Sequence, residues 1–264
     1  MRLAADKDQR VLVPAPALSP AIGARMHRHA AWRLGQTTLV IAGCLVCAAL
    51  LFVHLDRSPR TWFDEGSHLH VPKTLVQTGH YADRSSEGFR AFGPTVGVGP
   101  TVMLPIAAVF KIGGIGLLGA RLVIALYTII AIAAFGLLMN RLAGGRIALL
   151  AAILMLAAPG LDFITTGRQV IGEVPALAYL LIGALVWFTR DDTTGEVGLT
   201  RCTKRCLIAG GFFGLTIVTK GQLGIVLGPS LVLVALLAVA WDRRIGLKQV
   251  LVPLIVMVAV FGAW

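Results

Sequence analysis

Apolar runs separated by short polar breaks occupy most of this chain. After a polar, basic, Pro/Ala-rich opening (residues 1–33), a first apolar run covers 34–54. Clear runs follow at 117–139, 147–163, 175–189, 207–219, 222–241 and 249–264. A helix rises 1.5 Å per residue, so about 20 apolar residues match a hydrocarbon layer of about 30 Å. The pattern predicts an all-α polytopic membrane protein. Residues 1–33 read as a disordered cytoplasmic tail, and 34–264 as a transmembrane module of about seven spans. The opening is too long for the n-region of a signal peptide, so 34–54 reads as an uncleaved first span. The last run reaches Trp264 with no polar tail, and truncation at the C-terminus is expected.

The stretch 93–113 is only half apolar and is broken by Gly93, Pro94, Gly97, Gly99, Pro100 and Pro105. Charge decides how to read it. If it does not cross, the basic segments 1–33, 140–146, 190–206 and 242–248 all face the cytoplasm, as membrane loops rich in Lys and Arg do. If it crosses, three basic loops face outward. The first reading makes 93–113 a broken, re-entrant segment covered by protein. It places Asp64, Glu65, Arg168, Glu173 and Lys220 together on the extracytoplasmic side. The expected location is the plasma membrane, multi-pass, with a cytoplasmic N-terminus.

Composition agrees. The chain has 264 residues, 56% hydrophobic and 14% charged, which excludes an ordinary soluble domain. The net charge of +11 belongs to the cytoplasmic segments. No aromatic-plus-basic stripe accompanies it, and no nucleic acid is expected as partner. Cys44 and Cys47 lie in the first run, Cys202 and Cys206 in a basic loop. The two pairs sit at different depths, cannot share a zinc ion, and read as structural thiols.

Ionisable groups at the ends of apolar runs mark function by default. Asp64-Glu65 follows the first run. A carboxylate there can act as a general base, hold a divalent cation, or cap a helix start. His68 and His70, spaced i, i+2, suit one face of a strand, and with His80 read as solvated loop residues. Arg168 and Glu173 flank the turn from Thr166 to Pro175. Pro175 suits the first turn of the following helix, and Glu173 its positive N-terminal end. Arg168 can pair with Glu173 or form a phosphate fork. Lys220, between two apolar runs, is either a snorkelling lysine or a point charge for a lipid phosphate. Gly97-Val98-Gly99-Pro100 lacks the Lys-Ser/Thr of a P-loop and reads as backbone flexibility.

The order of these pieces resembles a known family. The acidic pair is followed by Gly79-His80-Tyr81, by Gly-Pro-Thr-Val-Met-Leu-Pro (99–105), and by Ala120-Arg121-Leu122. Then come Asn140-Arg141-Leu142-Ala143-Gly144, the 168–175 turn and Thr219-Lys220-Gly221. Over roughly residues 34–245 this resembles the polytopic GT-C glycosyltransferases. It is most similar to the protein O-mannosyltransferase and lipid A aminoarabinose transferase group. The resemblance implies a GT-C-like helix module with juxtamembrane helices in the first outer loop. It also implies a polyprenyl-phosphate-linked sugar donor and a lipid, glycan or protein acceptor. By matching position it implies Asp64 as the catalytic acid with Glu65 beside it, Glu173 as a second outer-loop acid, and Lys220 near the donor phosphate. Arg168 is expected to assist Lys220. A divalent cation is left open and no organic cofactor is expected. The expected reaction is a single inverting displacement with Asp64 as general base. A secondary transporter, or a non-catalytic membrane fragment, is the alternative.

Overall fold

The structure, a computed structural model, describes residues 46, 49–91, 97–158, 162–190, 197–241 and 246–264. The tail, most of the first apolar run, Cys44, Cys47, Gly93, Pro94, Arg243 and Arg244 lie outside these residues. Helix α1 (Phe63–Thr78) leads into a hairpin of β1 (Ala82–Ser85) and β2 (Gly88–Ala91). Then come α2 (Pro100–Gly113), α3 (Leu117–Ala143), α4 (Gly145–Ala157) and a single turn α5 (Phe163–Thr166). Helix α6 (Glu173–Trp187) runs into a second hairpin, β3 (Phe188–Arg190) with β4 (Val197–Leu199). A bundle of α7 (Thr203–Thr219), α8 (Gly224–Trp241) and α9 (Leu247–Gly262) completes the order, with a 3-10 turn at Gly221–Leu223. The two antiparallel hairpins are the departure from the all-α expectation.

Helix length is the second departure. Among the described residues, only α3 is long and apolar enough to cross a membrane, at 27 residues or about 40 Å. The helices α2, α4, α6 and α9 are shorter apolar helices. Local breaks explain this. Gly144, at φ 86°, takes a conformation that L side chains rarely adopt, and it turns α3 directly into α4 without the expected loop. Along these helices large apolar side chains face outward, among them Leu118, Leu126 and Leu137 on α3 and Ile255 on α9.

Two prolines inside helices show how the bundle is tied together. Proline has no N–H, so the carbonyl four residues earlier loses its helical partner. Pro105 frees the Thr101 carbonyl, and the Tyr127 hydroxyl of α3 donates to it at 2.7 Å. Pro253 frees the Gln249 carbonyl, and the Trp187 indole N–H of α6 donates to it at 2.9 Å. The stretch expected to be a broken re-entrant helix is, from Pro100 on, one continuous helix, because a neighbour takes up the orphaned carbonyl.

The core has three parts. Val71, Val102, Ile106 and Ile124 join α1, α2 and α3. Ala131, Leu138, Val174 and Leu181 join α3 to α6. Trp187, Phe213, Leu231 and Met257 join α6, α7, α8 and α9. Helices α7 and α9 touch nearly backbone to backbone. A Cβ on Gly210 would lie 2.6 Å from the Pro253 carbonyl oxygen, and one on Gly214 would lie 2.5 Å from Val260 Cβ. Small residues four apart allow this approach.

Candidate active site

Helix α1 carries the acidic pair, and its inner face decides what each acid does. Glu65, His68, Val71 and Thr74 are buried along one side, while Asp64, one position earlier, is exposed. Helix α1 starts at Phe63 with Trp62 at the cap position, so Asp64 lies inside the first turn and is not the cap. Glu65 is wholly buried against Arg121 of α3. Arg121 Nε donates to Glu65 Oε1 at 2.8 Å and Nη2 to Oε2 at 2.7 Å. The Val170 N–H donates to Glu65 Oε1 at 3.0 Å, and Arg121 Nη1 donates to the Leu55 carbonyl at 2.9 Å. This bidentate pair clamps α1, α3 and the 167–172 turn together. The expectation of Glu65 as a catalytic acid meets this geometry: both of its oxygens are committed, and it does not line the cavity described next.

A half-open cavity of ≈ 350 Å³ is lined by Asp64, Ser67, His68, Asp83, Gly97, Lys220 and Gln222. That volume falls within the range of small-molecule sites, about 300–1,000 Å³. From the sequence His68 is expected in a solvated loop, and its spacing from His70 suits a strand. Both histidines are on α1, on different faces. His68 is buried and its Nδ1 lies 2.9 Å from the Val170 carbonyl, which can only accept, so the Nδ1–H donates there. His70 is on the exposed side, 3.5 Å from Asp83.

Lys220 sits in extended backbone just past the end of α7. Gly99 makes that position, and its role is space. A Cβ there would lie 1.7 Å from the Val218 carbonyl oxygen. Its N–H donates to the Thr219 carbonyl at 3.0 Å. The hydroxyls of Thr101 and Thr219 meet at 2.7 Å. The expected flexible segment is a tight seam between the start of α2 and the end of α7.

Lys220 also has a partner that its sequence neighbours do not supply. Its Nζ lies 2.9 Å from Glu173 Oε1, at the start of α6. Of the two readings of Arg168, the pairing with Glu173 is not found among the described residues. Arg168 is nearly buried, its Nη2 donates to the Val53 carbonyl, and it does not line the cavity. Burial, and then the nearby Arg121 guanidinium, lower its pKa from the usual arginine value. Asp64 and Lys220 thus share a wall, Glu173 holds Lys220, and Glu65 and Arg168 lie behind that wall. The sequence names Arg121 only within a motif and His68 only as a loop histidine; the signal for Arg121 is a cation in the first turns of the longest apolar helix among the described residues. Among the described residues, no group of three or more His, Cys, Asp or Glu is arranged to hold a metal ion.

No protein-family model matches the chain, and no curated protein matches it. Solved structures do. ArnT from Cupriavidus metallidurans in the apo state superposes at a TM-score of 0.60 with 23% identity, covering 88% of this chain and 42% of that one. The same protein bound to undecaprenyl phosphate gives 0.62 and 22%, covering 86% and 41%. Archaeal oligosaccharyltransferase AglB from Archaeoglobus fulgidus, in complex with an inhibitory peptide and a dolichol-phosphate, gives 0.58 and 18%, covering 88% and 29%. The chain spans about two fifths of the length of ArnT. The shared fold is that of the GT-C enzymes, the resemblance the motifs carry.

Proposed function

We propose that this chain is part of a membrane glycosyltransferase that moves a sugar from a polyprenyl-phosphate donor to an extracytoplasmic acceptor. The observation that carries the reading is the shared cavity of Asp64 and Lys220, an acid and a cation 156 positions apart in the chain. The GT-C fold supports it, as do the outward apolar side chains, which suit a bilayer environment. In this reading the helices are membrane-embedded, the basic segments face the cytoplasm and the cavity opens outward in the plasma membrane.

Asp64 accepts the proton of an acceptor hydroxyl or amine as that atom attacks the anomeric carbon. The bond from that carbon to the phosphate oxygen breaks, and the polyprenyl phosphate leaves with the electron pair. One displacement inverts the centre. Lys220 stabilises the charge gathering on the phosphate; a well-placed donor of this kind contributes about 2.7–4 kcal/mol. The acceptor is a lipid, a glycan or a protein. Glu65 and Arg168 act behind the cavity, Glu65 by fixing α1 so that the exposed Asp64 stays on the cavity wall.

The test is sugar transfer by the full-length protein with Asp64→Asn. Transfer is expected to fall by about 10²–10⁴-fold, the usual contribution of a general base. Wild-type transfer by the variant would remove Asp64 from the mechanism.

A further inference from the structure

The lysine on the cavity wall is already occupied. Its Nζ is 2.9 Å from Glu173 Oε1, with the lysine side chain 12% exposed and the glutamate side chain 49% exposed. The two ends of this pair are held differently. A Cβ on Gly172 would lie 3.1 Å from Lys220 Cδ and 3.2 Å from the Thr219 carbonyl oxygen, so the lysine stem lies in a close-fitting trough. The seam with Gly99 and Thr101 pins the backbone beneath it. Glu173 is the solvent-facing member, free to swing away at little cost. A phosphate that reaches Lys220 therefore finds a carboxylate already paired with it.

Resting on the reading of Lys220 as the phosphate-binding group, we infer that Glu173 is a resident counter-ion that lipid phosphate pushes off Lys220 without expelling it from the site, and that it sets the preference between donor and spent carrier. Charge carries the distinction. The sugar-linked donor is a phosphodiester with one negative charge. Breaking its bond to the anomeric carbon leaves a phosphomonoester of about −1.5 to −2 at pH 7. A lone lysine would favour the more highly charged monoester and retain the spent carrier. With Glu173 beside it the site is close to neutral, and the extra charge of the monoester brings extra repulsion. As the carrier leaves, Glu173 closes on Lys220 again. Glu173 is then a specificity-determining residue, in place of the catalytic acid expected from its position.

Binding to the protein in phosphatidylcholine nanodiscs separates these ideas. The probes are undecaprenyl phosphate, a monoester, and its methyl phosphodiester, which has the charge of a sugar-linked donor. Glu173→Gln is expected to tighten the monoester by about two- to fivefold, the worth of a partly exposed ion pair, and to tighten the diester less. Glu173→Ala should do the same. Lys220→Ala is expected to weaken both lipids by about tenfold or more. If Lys220→Ala weakens binding but both Glu173 variants bind the monoester no tighter than wild type, or gain equally for both lipids, the counter-ion inference fails and the role of Lys220 stands. If Lys220→Ala binds both lipids as wild type does, the reading of Lys220 falls and the inference with it.

Discussion

Asp64 and Glu65 are neighbours with opposite fates, because successive residues on a helix point about 100° apart. Only one of them can face the core. Arg121→Met should strand the Glu65 charge in an apolar interior and destabilise the fold by about 3–5 kcal/mol, read from denaturation in detergent. Asp64→Asn, at an exposed position, should stay within about 0.5 kcal/mol of wild type in the same assay. His68→Asn and His68→Ala give a finer contrast. Asparagine can still donate to the Val170 carbonyl from the Nδ1 position, so it should keep more of the wild-type melting temperature than alanine. The acid pair was legible in the sequence as a unit. Its division was not, since the arginine that claims Glu65 lies 56 residues away.

Helix positions were legible to within a few residues. The runs at 175–189 and 249–264 became Glu173–Trp187 and Leu247–Gly262, because burial of apolar side chains sets helices in both cases. What crosses between helices was not legible. Pro105 signals a lost hydrogen bond, but nothing near it names Tyr127 as the replacement donor. A double substitution tests that link. Tyr127→Phe should leave the Thr101 carbonyl short of a partner and cost about 1–3 kcal/mol. Adding Pro105→Ala restores a backbone N–H four residues on, so part of that cost should return. Strict additivity of the two changes would mean that the hydroxyl does not serve this carbonyl.

The gathering of Asp64, Lys220 and Glu173 needs the whole chain folded, and the sequence shows it only through the distribution of charge. The basic segments imply which ends of the helices lie together, and the cavity places Asp64 and Lys220 at one such end. They do not reveal that Glu173 takes Lys220, 47 residues further along the chain, rather than its close neighbour Arg168. Orientation can be read from thiols. Cys202 is exposed at the start of α7, and backbone N–H groups of Arg205 and Lys204 lower its thiol pKa. A larger thiolate fraction follows near neutral pH, so Cys202 should react with maleimide faster than buried Cys206. A membrane-impermeant maleimide should reach it only from the cytoplasmic side.

The most direct measurement places a single cysteine at Gln222, on the cavity wall, in an otherwise cysteine-free protein held in oriented vesicles. An impermeant maleimide should label it from the extracytoplasmic side, and undecaprenyl phosphate should slow that labelling. Labelling from the cytoplasmic side, or labelling that the lipid leaves unchanged, would contradict an outward-facing cavity built to hold a lipid phosphate.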